Sequence, residues 1–289
     1  MSAIPVTERL SYERRVRPRR AIIAVAAGVL LVVSAVLQLT GPHTNVSEIT
    51  LGLIIERKRF ALDLVGAIVQ AGGWFGVAWT LMFLVGATRA RDEKAPPYIR
   101  YVVLVGAPLT AIGIVGYIAG YGIQAKHFTG AQTYPQANHL LSSPALAIFQ
   151  VMNYAGELVL AVGFVLVSLQ AMRAGLLTRF MGYLGIIAGI LVLFVITPVP
   201  IVQAYWLVGL GVLFAGRWPS GMPPAWQTGR VERWPSSQEL REQRMQQRNG
   251  TGREKPARGK PPREPVAATA FAPKQTRAAT PKRKRKRRR

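Results

Sequence analysis

The sequence predicts an all-α protein: a polytopic membrane helical bundle of about six transmembrane helices, followed by a disordered basic C-terminal tail. Half of the 289 residues are apolar, yet the formal net charge is +24. That charge is concentrated at one end, because the chain from Gly216 onward holds 21 Lys and Arg against five Asp and Glu. Most of the remaining chain consists of apolar runs with almost no polar face, which is atypical of a water-soluble helical bundle.

The apolar runs define the predicted spans. About 20 apolar residues are enough to cross a hydrocarbon core of roughly 30 Å as a helix. The last two runs are short, and the sequence "PVP" (198–200) separates them into a hairpin. The six predicted spans are 21–39, 62–87, 101–123, 146–172, 181–197 and 201–215.

Basic residues in the short flanking loops predict the orientation of these spans. Six arginines precede the first span within residues 1–20, and more Lys and Arg follow the second and fourth spans. With six spans, these segments and the tail share one side, so both termini are predicted to be cytoplasmic. The cluster "ERKR" (56–59) is the exception. The first apolar run has 19 residues, which is too long for a cleaved signal peptide, so it is predicted to be retained.

The fourth span carries the candidate binding site. Gln150, Asn153 and Glu157 follow an i, i+3, i+7 spacing and therefore share one helical face. An ionisable group near the middle of a span is costly when charged, so Glu157 is expected to be neutral or paired. No Lys or Arg lies inside a predicted span, and the expected hydrogen-bond partners are Tyr117, Thr80 or Gln203. The three residues are either a proton- or substrate-binding group or a polar contact between helices.

Tryptophans recur after the last span. Trp218, Trp226 and Trp234 are eight residues apart among prolines that interrupt a regular helix. Tryptophan is typical of the headgroup level of a bilayer, so residues 216–248 are predicted to lie on the inner leaflet with these three residues as anchors. A docking site for a partner is the alternative. Ser236 and Glu239 form a capping box that predicts a short helix at the end of this segment.

The polybasic end of the chain predicts contact with anionic phosphate groups. Residues 249–289 have the composition of a disordered segment. Their basic run is expected to reach the anionic phospholipid headgroups of the chain's own lipid bilayer. Nucleic acid or the ribosome is the alternative partner, since phosphate backbones attract such runs without sequence preference. The run consists of Lys282, Arg283, Lys284, Arg285, Lys286, Arg287, Arg288 and Arg289.

Several kinds of site lack sequence support. The chain has no cysteine, which excludes disulfides and thiolate chemistry. Its histidines, His43, His127 and His139, fall in predicted outer loops with no standard metal-ligand spacing. We find neither a zinc-hydrolase motif nor a phosphate-binding Walker loop. The sequence therefore predicts no catalytic residue, metal or cofactor, and an enzyme is the less favoured class.

Small residues four apart predict close helix packing at Gly72/Gly76, Gly116/Gly120 and Gly185/Gly189. Asp63, near the start of the second span, is expected to be solvated or paired with Arg59. The composition, rich in Arg, Ala and Gly, indicates a GC-rich bacterial genome. A homo-oligomer is compatible with these features.

Two stretches carry a resemblance to a family. "VLVSLQAMRAGLLTRFMGYLGIIAGILVLF" and "WLVGLGVLFAGRWPSGMPPAWQTGRVERWPSSQE" resemble a group of actinobacterial multi-pass integral membrane proteins with no assigned activity. "SYERRVRPRR" and "QTYPQANHL" are similar to the same group. The resemblance implies a plasma-membrane topology and transfers no catalytic or binding residue.

Two functional hypotheses follow. The first is a structural or accessory membrane protein whose tail contacts anionic lipid or partners. The second is a small proton-linked transporter that uses Glu157.

Overall fold

The computed structural model describes residues 5–40, 49–193, 200–219, 221–232, 239, 241–242 and 245–246. The chain divides into two units, 1–235 and 236–289. In the second unit the described residues are helical. The predicted disordered tail, with its eight basic residues, lies outside the described residues, as does Trp234.

All regular structure in the described residues of the first unit is helical. Four helices are long and apolar enough to cross a membrane: α1 (Val6–Leu39), α2 (Ile49–Arg89), α3 (Ile99–His127) and α5 (Pro144–Arg173). Two shorter apolar helices follow, α6 (Arg179–Leu193) and α7 (Ile201–Phe214). A short helix, α4 (Tyr134–Leu141), precedes α5, and a single turn, α8 (Ala225–Thr228), follows α7.

Two helices extend well beyond the predicted spans. α1 begins at Val6 rather than at residue 21, and α2 begins at Ile49 rather than at residue 62. At about 1.5 Å per residue, the 41 residues of α2 are roughly 60 Å long. An apolar run predicts only the part of a helix that can lie in a hydrocarbon core. The helix itself can continue into polar sequence, because its backbone hydrogen bonds do not require apolar side chains. The Arg-rich N-terminal segment is therefore helical, with Pro18 inside the helix.

The six apolar helices form a closed ring. α1 packs on α2, α2 on α3, α3 on α5, α5 on α6, α6 on α7, and α7 returns to α1. α2 also contacts α5 across the ring. One core runs through the bundle, and its fully buried side chains include Leu31, Leu81, Phe164 and Trp206. A second, smaller core lies where α4 covers the beginning of α2 and the end of α3, around Leu53 and Phe128.

The contact between α3 and α5 is the most extensive in the bundle, and glycine makes it close. A Cβ atom on Gly113 would lie inside the contact distance of the backbone nitrogen of Asn153, and one on Gly156 would collide with the backbone nitrogen of Thr110. The two backbones therefore approach each other with no side chain between them. The predicted glycine pairs also contact neighbouring helices, as Gly76 does against Ala27 and Gly189 against Phe164.

Candidate functional site

Two polar residues of the predicted site are joined on α5. The amide Nδ2 of Asn153 donates a hydrogen bond of 3.1 Å to Oε1 of Glu157. The two residues are four apart in a helix, so their side chains lie one above the other. Both are half-buried. Asn153 is fixed against α3 by the close approach of Gly113, which sets the position of the amide that holds the carboxyl group.

Gln150 does not join this pair. It is exposed, and its Nε2 donates a 3.2 Å hydrogen bond to the hydroxyl of Tyr154. The expected partners from other helices are also engaged elsewhere: Thr80 donates to the carbonyl of Gly76 (2.9 Å), and Gln203 donates to the carbonyl of Ala188 (3.0 Å). The expectation that Tyr117, Thr80 or Gln203 binds Glu157 is therefore wrong: among the described residues, the side-chain hydrogen bond to Glu157 comes from Asn153 on the same helix.

The Asn153–Glu157 pair retains hydrogen-bonding capacity. Oδ1 of Asn153 is buried and accepts no hydrogen bond from any residue that the structure describes. Within the same part of the chain, no Lys or Arg forms an ion pair with Glu157. A carboxyl group that accepts one amide hydrogen bond keeps lone pairs for a proton or a small donor group, and the unused oxygen of Asn153 can accept a further hydrogen bond.

A second cluster lies just beyond the C-terminal end of α5, where the first part of α1, the end of α2 and the segment after α7 meet. We call this the basic end. The guanidinium of Arg91 donates two hydrogen bonds to the carboxylate of Glu13, at 2.9 and 2.5 Å, and further bonds to the carbonyls of Ala87 and Ala225. The side chain of Arg91 is fully buried and that of Glu13 is 7% exposed. A buried ion pair thus connects α1, α2 and α8.

Trp226 closes this cluster. Its ring stacks on Phe83, with the centroids 5.8 Å apart, and meets Phe214 edge-on at 5.9 Å. The guanidinium of Arg91 lies 5.0 Å from the ring centroid, a cation–π distance. The indole Nε1 donates to the carbonyl of Leu176 (2.9 Å), so the polar atom of this buried side chain is satisfied.

This placement corrects one predicted anchor. Trp226 is 1% exposed and lies inside the protein rather than at a lipid headgroup. Trp218 is half-buried against the core, and its role as an interfacial anchor stays a prediction. Trp234 is outside the described residues. Sequence reasoning assigned all three to the membrane surface because the aromatic and Pro-rich composition does not reveal a contact with a loop 50 residues away.

Arg9 adds a further connection at the basic end. It donates to the carbonyls of Ala90 and Gly229, the latter at 2.7 Å. Gly229 ends α8 in the left-handed conformation (φ 70°), which suits glycine, and it packs against Val6 and Leu10. The N-terminal part of α1 therefore holds the segment that follows α7.

At the other end of the bundle, Arg59 pairs with Asp63 at 3.2 Å, as the sequence predicted. No group of three or more His, Asp or Glu residues that could hold a metal ion occurs among the residues searched. Glu13 was not predicted as a site residue. The available signal was its position as the one carboxylate within the Arg-rich "SYERRVRPRR".

Comparison of the chain with protein-family models, with curated proteins and with solved structures gives no match.

Proposed function

We propose that this chain is a structural or accessory protein of the bacterial plasma (inner) membrane, with six spans and both termini cytoplasmic, which presents its polybasic tail to anionic phospholipid headgroups. The observation that carries this proposal is the attachment of the segment after α7 to the bundle through Trp226. This attachment holds the described residues 225–229 at the basic end, beside the Arg-rich N-terminal part of α1.

The distribution of charge supports the proposed orientation. Arg89 ends α2, Arg91 and Lys94 follow it, and Arg173 ends α5, so these residues lie at the same end as the arginines of α1. An excess of Lys and Arg in short loops is typical of the cytoplasmic side.

The absence of cysteine allows a clean test of topology. Single-cysteine variants Ser2→Cys and Ser142→Cys, each made in the full chain, would be treated in intact cells with a membrane-impermeant maleimide. We expect labelling at 142 alone, with labelling at 2 appearing after the membrane is permeabilised. Labelling of both positions in intact cells would contradict the proposed orientation.

The contact of the tail with lipid needs a separate test. A polarity-sensitive fluorophore on Thr280→Cys would be followed in vesicles of phosphatidylcholine with and without phosphatidylglycerol. We expect a blue shift that requires phosphatidylglycerol and is lost when residues 282–289 are replaced by Ser and Gln. An unchanged spectrum would reject the lipid contact, and a shift reversed by added RNA would favour nucleic acid or the ribosome as the partner.

The second candidate is a proton-linked transporter. It is favoured by Glu157 and by the unused Oδ1 of Asn153 beside it, both in the interior of an apolar helix. Cells lacking the gene would be complemented with the wild type, Glu157→Gln or the exposed loop control Glu93→Gln. Transport requires a titratable group at residue 157, so Glu157→Gln alone should fail at normal protein levels. Full complementation by Glu157→Gln would exclude the carboxyl group from the function.

A further inference from the structure

An open groove of about 570 Å³ lies on the outer surface of α2 at the basic end. Its floor includes Trp79, Phe83 and Gly86, with α1 forming one wall and Leu104 of α3 contributing to the other. The volume falls in the range of about 300–1,000 Å³ that is typical of small-molecule sites. The groove is therefore large enough for part of an amphipathic ligand.

The parts of the groove that α2 and α3 form are apolar and exposed. Trp79 is 58% exposed and Leu104 is 53% exposed, although both belong to helices of membrane-spanning length. Such surfaces face acyl chains in a bilayer. Gly86 deepens the floor, since no atom lies within 4 Å of the place that its Cβ would occupy.

The α1 wall supplies positive charge. The guanidinium of Arg20 lies 5.0 Å from the ring centroid of Trp79 and 5.4 Å from that of Phe83. Arg9 also lines the groove. Neither arginine forms an ion pair with a carboxylate in the described part of the chain. The guanidinium of Arg9 is already bonded to the carbonyls of Ala90 and Gly229, so Arg20 is the arginine available to an anion.

One carboxylate also lines the groove, but its charge is balanced. Glu13 is held by two hydrogen bonds from the buried Arg91 behind it. The net charge of the groove is thus set by Arg9 and Arg20. A positive wall beside an exposed apolar floor matches a molecule with an anionic head and a hydrocarbon chain.

We propose that this groove binds one anionic phospholipid, with its phosphate held by Arg20 and its acyl chain lying along Trp79 and Leu104. Guanidinium groups are suited to phosphate because their N–H donors match the geometry of its oxygens. The site is independent of the tail, since all of its residues lie before residue 105.

The test uses the full chain, so that the tail is the same in every variant. The purified protein in neutral detergent would be titrated with phosphatidylglycerol or phosphatidylcholine, and retained lipid would be counted by native mass spectrometry. We expect the wild type to retain one phosphatidylglycerol in preference to phosphatidylcholine. Arg20→Ala should weaken the first phosphatidylglycerol roughly tenfold, as expected for the loss of one charge-assisted hydrogen bond.

Two further variants make the result specific. Arg19→Ala removes an equal charge from the adjacent exposed residue and should leave the first binding step unchanged. Gly86→Leu fills the floor and should abolish retention of the first lipid, with an unchanged thermal midpoint showing that the fold is intact. Equal losses in Arg19→Ala and Arg20→Ala, or normal retention in folded Gly86→Leu, would overturn the proposal.

Discussion

Arg91 and Glu13 form a buried ion pair with two parallel hydrogen bonds, and this pair joins the end of α2 to the N-terminal part of α1. Both charges are removed from water, so each depends on the other. The guanidinium of Arg91 also donates to the carbonyls of Ala87 and Ala225 and lies over the ring of Trp226.

We expect Glu13→Gln to destabilise the protein strongly, because it leaves the Arg91 charge buried without its counter-ion. Removing one partner of a buried pair costs about 3–5 kcal/mol. The change would be measured as a drop in the thermal midpoint in detergent. Glu8→Gln, on an exposed residue of the same helix, is the matched control and should fall within about 0.5 kcal/mol of wild type.

Trp226→Ala should release the segment that follows α7. The substitution removes a ring that packs on Phe83 and Phe214, and it leaves the Leu176 carbonyl without its indole donor. Trypsin cleavage after the exposed Arg230 should become faster in the variant. Trp226→Phe keeps an aromatic ring but loses the hydrogen bond, so an intermediate rate is expected. An unchanged cleavage rate in Trp226→Ala would show that the attachment does not depend on this side chain.

Gly113→Ala and Gly156→Ala should each weaken the contact between α3 and α5, because a methyl group would be forced against the backbone of the facing helix. The helices must separate, and the thermal midpoint should fall in both variants. Gly72→Ala is the control, since its Cβ would lie 3.7 Å from Leu30, an ordinary contact. That variant should be neutral or slightly more stable, because alanine favours a helix interior by about 1 kcal/mol over glycine.

Trp206 and Gln203 both connect α7 to α6. Substituting Trp206 should destabilise the protein more than substituting Gln203. Trp206 is fully buried against Phe164, and its Nε1 donates to the carbonyl of Met181 (2.9 Å). Trp206→Ala should cost about 3–5 kcal/mol because it leaves a large cavity. Gln203→Met keeps the volume and loses one interhelical hydrogen bond, worth about 0.6 kcal/mol on average between membrane helices. Equal shifts of the thermal midpoint would contradict this ranking.

The apolar pattern predicted the helical class and the position of the four long helices. It did not predict where α1 and α2 begin, because those ends are stabilised by long-range contacts rather than by apolar length. Glu13 of α1 pairs with Arg91, and Leu53 near the start of α2 packs against α4.

The spacing of small residues four apart predicted Gly116 and Gly120, which face α5, but not Gly113 and Gly156, where the two backbones meet. Gly106, Gly113 and Gly120 recur every seven residues, as do Gly156 and Gly163, and that repeat was the readable signal of the α3–α5 interface.

The sequence predicted only part of the candidate site. Spacing along a helix placed Asn153 and Glu157 on one face, and the structure joins them. Spacing could not assign partners on other helices, since those depend on how each helix is rotated in the bundle. For this reason Thr80 and Gln203 were expected at Glu157 but bind carbonyls elsewhere.

The return of the last helix of the ring to the first has a consequence for biosynthesis. Glu13 leaves the ribosome 213 residues before Trp226. At about 5–20 residues per second, this interval is roughly 10–40 s. α2 and Arg91 become available to α1 earlier in that interval. The α7 neighbours of Gly28 on α1 and the ring of Trp226 that Arg17 contacts are missing until its end, so this part of the nascent helix depends on the insertion machinery or on lipid.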